Sequence, residues 1–251
     1  MLNSMSDSVS ACTILFPMAG LGMRFKNAGF VEPKPMIKVG DKLMIEWAID
    51  SIKSLSTEHN LIFIALEKDL DFGLSSILEN FGEIIPVTSV TKGAVSSTLM
   101  ASKFIKNSSP LLILNCDQYI TLDVNVFMSE SLNYDASVVV FESNNPHHSF
   151  IEINDKLVTR VEEKIAISNL ACGGLYYYKH GIDYITAAQS MISKNITTNG
   201  EYYISPVFNE LITSGKKVTY FKIPQDRIHM LGTPEEVALF ESKLTRKEVS
   251  S

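Results

Sequence analysis

Residues 13–35 read TILFPMAGLGMRFKNAGFVEPKP, an apolar run that stops at two glycines and then turns cationic. TILFPM (13–18) has the unbroken apolar character of a strand buried on both faces, which is the mark of a parallel sheet. In an open α/β sheet, ligands sit beyond the carboxyl ends of the strands, and AGLGMRF begins where this strand ends. Gly20 and Gly22 let backbone approach a ligand closely, and the exposed N–H groups of such a loop attract phosphate oxygens. Arg24 and Lys34 follow, ten residues apart. Two common phosphate loops do not fit. A dinucleotide-binding loop needs a third glycine where Phe25 stands, and a P-loop needs Gly-Lys followed by Ser or Thr, which is absent. The plain alternative is a turn with two solvated cations.

Outward from this loop, strands and helices alternate. Ile45, Ala48, Ile49, Ile52 and Leu55 fall on one face of a helix that starts near Leu43. LIFIAL (61–66), EIIPVT (83–88) and LLILN (111–115) read as buried strands, with helices over 94–105 and 122–132. ASVVVFE (136–142), SFIEI (149–153), LVTRVEEK (157–164) and ACGGLYYYK (171–179) alternate or carry aromatics, as antiparallel strands do. Helices return over 182–192 and 206–212, and VTYFKI (218–223) is a further strand. Thr233 as N-cap, Pro234 at the first helical position and Glu236 in a capping box open a last helix with the stripe Val237, Phe240, Leu244. The expected fold is α/β: a doubly wound, Rossmann-like mixed sheet with a smaller antiparallel region over about 140–215. One domain over 12–246 is expected, with a disordered N-terminus over 1–11 and a frayed tail over 247–251.

Composition narrows the function classes. A net charge of −6 argues against nucleic acid or an anionic membrane as the main partner. Cys12, Cys116 and Cys172 are an odd, widely spaced set in apolar surroundings, which suits buried thiols in a reducing cytosol better than a disulfide framework or a zinc site. No apolar run approaches membrane-spanning length, and MLNSMSDSVS lacks the regions of a signal peptide. The expected location is the cytoplasm. Asp117, at the end of LLILNCD, reads either as a cap or turn residue or as a metal ligand. His147 and His148 are adjacent, so a strand would point them to opposite faces; a loop near a substrate, or plain surface, is the better reading than a metal site.

Taken together, MAGLGMRF…PKPMIKVGDKLMIEWAI, LNCDQY, VEEKIAISNLACGGLYYYK, NGEYYISPVFNELI and LGTPEEV resemble the nucleotidyltransferases that make nucleotide sugars, in the order of that family, from about 13 to about 240. The resemblance implies the reaction NTP + X-phosphate → NDP-X + pyrophosphate, with Mg²⁺. It implies that Met18, Ala19, Gly20 and Gly22 bind nucleotide, that Arg24 contacts the phosphates through the transition state, and that Lys34, held by Pro33 and Pro35, bridges the α-phosphate and the incoming phosphate. Asp117 would hold Mg²⁺, Gly93 would lie beside the base, and Thr88 is a weaker base-site candidate. Glu163 would read acceptor hydroxyls, Lys164 the acceptor phosphate, and Gly174 would let the acceptor lie against backbone. Tyr176, Tyr177 and Tyr178 read as core and sheet surface.

The chain departs from the family in two places. Met230 stands where many members carry a second metal-binding aspartate, and the base-site motif is altered to GAVSSTL. These features resemble compact members associated with capsule and surface-polysaccharide synthesis, with CTP or UTP favoured as nucleotide. The expected partners are an NTP and a phosphorylated small molecule, a sugar 1-phosphate before a choline- or amide-type phosphate; a homo-oligomer is compatible with the reading. A glycosyltransferase that consumes a nucleotide sugar is the alternative, although such enzymes hold metal with Asp-x-Asp where this chain has NCDQY. A catalytically dead nucleotide-binding relative is a third reading, against which the retained Arg24, Lys34, Asp117 and Lys164 speak.

Overall fold

The structure is a computed structural model that describes residues 11–249. Its first strand, β1 (Cys12–Pro17), leads to a five-residue helix α1 (Met23–Asn27) and a short hairpin of β2 (Lys38–Val39) and β3 (Lys42–Leu43). Helix α2 (Met44–Asp50) and strand β4 (His59–Leu66) follow, then the short helices α3 (Glu67–Asp69) and α4 (Ser75–Leu78) before β5 (Glu83–Val87). Helix α5 (Ala94–Met100) precedes β6 (Leu111–Leu114), β7 (Gln118–Ile120) and α6 (Val124–Ser131). The strand-rich middle is β8 (Ala136–Glu142), β9 (Ser149–Asn154), β10 (Leu157–Glu163) and β11 (Leu170–Tyr178). Helices α7 (Gly181–Ser193) and α8 (Val207–Thr213), strands β12 (Val218–Lys222) and β13 (Ile228–Met230), and helix α9 (Pro234–Val249) complete it.

Nine of these strands form one mixed sheet, with the path β10-β9-β11-β6-β1-β4-β5 and with β8 and β12 paired alongside β11. Strands β6, β1, β4 and β5 run parallel to one another, while β11 is antiparallel to β6, β8 and β9. The expected mixed α/β class is what the chain adopts. Alternation along β1 explains why it is apolar but for Thr13: Leu15 enters the core on one face of the sheet, and Ile14 and Phe16 the core on the other. Period-two packing with both faces buried leaves no position for a polar residue to face water.

A third cluster fixes the site. Phe25 of α1, Met44 and Trp47 of α2, Leu231, and Val237 and Phe240 of α9 pack together. The loop after β1 is thereby clamped to the last helix. Several local expectations change. The helix expected over 94–105 ends at Met100 and continues only as a 3-10 turn, Ser102–Phe104. The Thr233 hydroxyl does accept from Glu236 N at 3.2 Å, but the Glu236 carboxylate accepts from Gly232 N instead of closing the box on Thr233. Residues 1–10 and 250–251 of the expected disordered ends lie outside the described residues, and Ala11 is buried. The three cysteines are free and buried, and burial pushes the Cys116 thiol up to about 12.

Candidate active site

The chain leaves β1 with Met18 and Ala19 still buried, and Met18 N donates to Ile64 O at 2.8 Å. Gly20 is exposed, and Gly22 closes α1 by accepting from Phe25 N and Lys26 N. Because Phe25 is driven into the third cluster, its neighbour Arg24 is left exposed on the open side. A cavity of about 500 Å³ opens here, lined by Met18, Ala19, Gly20, Gly22, Arg24, Lys34, Gly93 and Asp117 among others. A second, of about 570 Å³, is lined by His147, His148, Ser149, Glu163, Lys164, Tyr203 and Ser205 among others. Arg24, Ala94, Asn115, Asp117, Tyr203 and Gly232 line both. The two cavities share a wall.

At that wall Lys34 Nζ stands 2.5 Å from Asp117 Oδ2, each side chain less than a third exposed. Burial alone would raise the carboxyl of Asp117, but the Lys34 charge, its hydrogen bond, a backbone hydrogen bond and the Arg24 charge together outweigh it and hold the group below its usual range. The converse holds for Lys34: burial would lower it, and Asp117 lifts it above the ordinary lysine value. Two residues expected to serve different ligands are here each other's partner. A carbon on Gly232 would lie 3.2 Å from Asp117 Oδ2 and 3.3 Å from Glu236 Oε2, so Glu236 is a second carboxylate beside the wall. Its Oε2 already accepts from Gly232 N at 2.9 Å. Met230 supplies no oxygen, and no group of three His, Cys, Asp or Glu suited to a metal occurs among the described residues. A single hard carboxylate facing a cavity still suits Mg²⁺, which commonly keeps water and takes substrate phosphates as ligands.

On the far side of the wall, Glu163 is 6% exposed and accepts from Ser205 Oγ at 3.1 Å and from Ser149 Oγ. Burial raises its pKa, and the two serines offset this only in part. Lys164, next along, has φ +60°, a left-handed conformation uncommon for a residue with a side chain. Its ammonium donates to the Tyr203 hydroxyl. His147 and His148 belong to the loop before β9 and line this cavity; burial, then the neighbouring His147, holds the His148 imidazole low.

The structure therefore brings together Met18, Ala19, Gly20, Gly22, Arg24, Lys34, Gly93, Asp117, Glu163 and Lys164. It does not bring in Thr88 or Gly174. Thr88 is exposed just beyond β5, and the cavity is lined there by Val90 and Thr91. Gly174 lies at the register shift of β11, where a side-chain carbon would sit 2.0 Å from Gln118 Oε1 and 2.6 Å from Asn115 Nδ2. A side chain there would meet protein side chains, and Gly174 lines neither cavity. Asn115, Thr91, Ser149, Ser205 and Tyr203 were not read from the sequence. Asn115 carried a signal, as the one polar residue interrupting the apolar run before Asp117.

Comparison with known proteins bears directly on this arrangement. The model of the nucleotidyl transferase family matches residues 17–226. The chain belongs to the nucleotidyl transferase family. The enzyme is 24% identical over 250 residues to the bifunctional protein GlmU of Thermoanaerobacter pseudethanolicus, covering 92% of this chain and 51% of that one. To GlmU of Thermodesulfovibrio yellowstonii it is 23% identical over 223 residues, or 83% and 46% of the two chains. It thus spans about half the length of the curated relatives it matches. Its fold is similar to that of a nucleoside-diphosphate-sugar pyrophosphorylase from Vibrio cholerae RC9, with TM-score 0.78, 24% identity, and 91% and 99% of the chains covered. It is also similar to a structure assigned as a glucose-1-phosphate thymidylyltransferase, from Bacillus anthracis in complex with a sucrose, with TM-score 0.74, 20% identity, and 92% and 94% covered.

Proposed function

We propose that this nucleotidyltransferase condenses a nucleoside triphosphate with a phosphorylated small molecule, foremost a sugar 1-phosphate, and releases pyrophosphate. The observation that carries the reading is the shared wall, where Arg24 and Asp117 face both cavities. An attacking phosphate and the phosphorus it attacks must meet at one place, and a wall common to two cavities provides it. Attack brings two anions together while pyrophosphate leaves, so the protein's work is alignment and charge neutralisation. Arg24 contacts the triphosphate with its two-pronged guanidinium. Lys34 exchanges Asp117 for the reacting phosphates. Asp117 would hold Mg²⁺, and the ion would supply neutralisation of triphosphate charge. Lys164 pairs with the acceptor's phosphate, and Glu163, with Ser149 and Ser205, reads its hydroxyls.

CTP or UTP is the favoured nucleotide and surface-polysaccharide synthesis the favoured setting, both resting on the sequence resemblance. An unbroken sheet through 136–178 supports one domain over 12–246, with the acceptor region at about 140–215. The location proposed is the cytoplasm; no described helix is long and apolar enough to cross a membrane. A choline-type acceptor is disfavoured because a quaternary ammonium calls for an aromatic cage, and the described cavity offers the rings of Tyr176 and Tyr203, the latter tied to Lys164, besides two imidazoles. The test is pyrophosphate release with each NTP, Mg²⁺ and a panel of sugar 1-phosphates and non-sugar phosphates. Release with a sugar 1-phosphate supports the reading. No release from any pair, with consumption of a nucleotide sugar instead, would establish the glycosyltransferase alternative.

A further inference from the structure

Tyr203 stands between the two cavities and lines both. The Lys164 ammonium reaches its hydroxyl from the acceptor side, with Nζ 4.3 Å from the ring centre. The direction of the bond follows from the groups alone. An ammonium only donates, so Lys164 donates and the phenol oxygen accepts. Burial, and then the Glu201 carboxylate that lines the other cavity, push the phenol's pKa up, so it keeps its proton.

Such a bond matters because a lysine is a point charge on a flexible stem, which needs a fixed acceptor if it is to be found in one place. The backbone of Lys164 is already committed: φ is +60° and its N–H donates to His148 O at 3.0 Å. The hydroxyl of Tyr203 commits the other end, and does so at the wall that both substrates share. We infer that Tyr203 is a positioning residue: it holds the Lys164 ammonium at the shared wall, where the acceptor's phosphate has to lie. This rests on the reading of Lys164 as the acceptor-phosphate ligand.

Tyr203→Phe keeps the ring and removes only the hydroxyl, so it tests the link without opening a cavity. Inorganic phosphate, titrated by calorimetry into the wild type, Lys164→Met, Tyr203→Phe and the double variant, reads anion binding without assuming any acceptor. Tyr203→Phe should weaken the Lys164-dependent binding about fivefold to twentyfold, the scale of one charge-assisted hydrogen bond, and should add nothing once Lys164 is Met. In protein labelled with ¹³Cε-lysine, the Lys164 signal, assigned by its loss in Lys164→Met, should move to the position of a flexible lysine in Tyr203→Phe while the other lysine signals stay. Phosphate binding that is indifferent to Lys164 overturns the underlying reading. Lys164-dependent binding and an unmoved Lys164 signal in Tyr203→Phe overturn the positioning role alone. Equal weakening by Tyr203→Phe with and without Lys164 puts the phenol in direct contact with the anion, which overturns it as well.

Discussion

Arg24 and Lys34 carry the same charge in different situations. Lys34 is held by Asp117, whereas the Arg24 guanidinium has no hydrogen-bonding or ion-pair partner among the described residues and is exposed at both cavities. A charge with no internal duty can be removed at little structural cost. Arg24→Ala should melt with the wild type and lose turnover by about a hundredfold or more, the scale of a lost transition-state contact; near-normal turnover would take it out of the mechanism. Glu163 is the opposite case, a buried acid whose pKa is raised above its ordinary value of 4.5. The folded chain holds that proton more tightly than the unfolded one. Stability from this group is therefore complete at low pH, declines as pH climbs from the unfolded value through the folded one, and is level above that. Glu163→Gln has no proton to lose, so its melting temperature relative to wild type should rise across that window, ~2–4 °C for each kcal/mol in a chain of this size. A difference that stays flat from about pH 4 to about pH 8 would show the carboxyl titrating alike in both states.

At the scale of elements, what could be read depended on how local the cause was. Strands β1, β4 and β6 were legible because burial on both faces writes itself into consecutive residues. The capping signal at Thr233 was legible for the same reason, since the cap and its helix are neighbours. Helix α5 shows the limit. Its start is fixed by Gly93, whose φ is +105° and where a side-chain carbon would fall 2.6 Å from both N and O of Tyr202. Tyr202 in turn donates to Lys92 O at 2.8 Å and accepts from Val95 N at 3.1 Å. The contact joins positions more than a hundred residues apart, and no local pattern announces it. Gly93→Ala should force this backbone clamp open, destabilising the fold by about 2 kcal/mol or more, read as a lower urea midpoint. An unchanged midpoint would mean that the two segments separate freely. Gly174 taught the same lesson in reverse: its type was legible, but the crowding around it, by Gln118 and Asn115, required the fold.

For the whole molecule, the sheet's topology brings β1, β6 and the β9–β11 region to one place, so that residues more than a hundred positions apart line neighbouring cavities. The cations and Asp117 were legible because their motifs are contiguous; Tyr203, Ser149 and Ser205 were not, because only the folded chain shows that they meet Glu163 and Lys164. The separation of cavities has a measurable consequence. Lys164 lines the cavity proposed for the acceptor and not the one proposed for the nucleotide, so Lys164→Ala should leave NTP affinity nearly unchanged while the acceptor KM rises about tenfold to a hundredfold, roughly 1.4 to 2.7 kcal/mol. Equal loss on both sides would assign it to the nucleotide. The Lys34–Asp117 pair at the common wall has a further effect. An anion arriving alone must strip Lys34 from its carboxylate and leave that carboxylate uncompensated. A divalent cation arriving alone must strip Asp117 from its ammonium and leave that charge uncompensated. A visitor that brings both signs at once, as a metal–triphosphate complex does, exchanges one ion pair for two. On the proposed roles, the Lys34–Asp117 pair is thus a coincidence detector, parted more readily by a metal and a triphosphate together than by either alone.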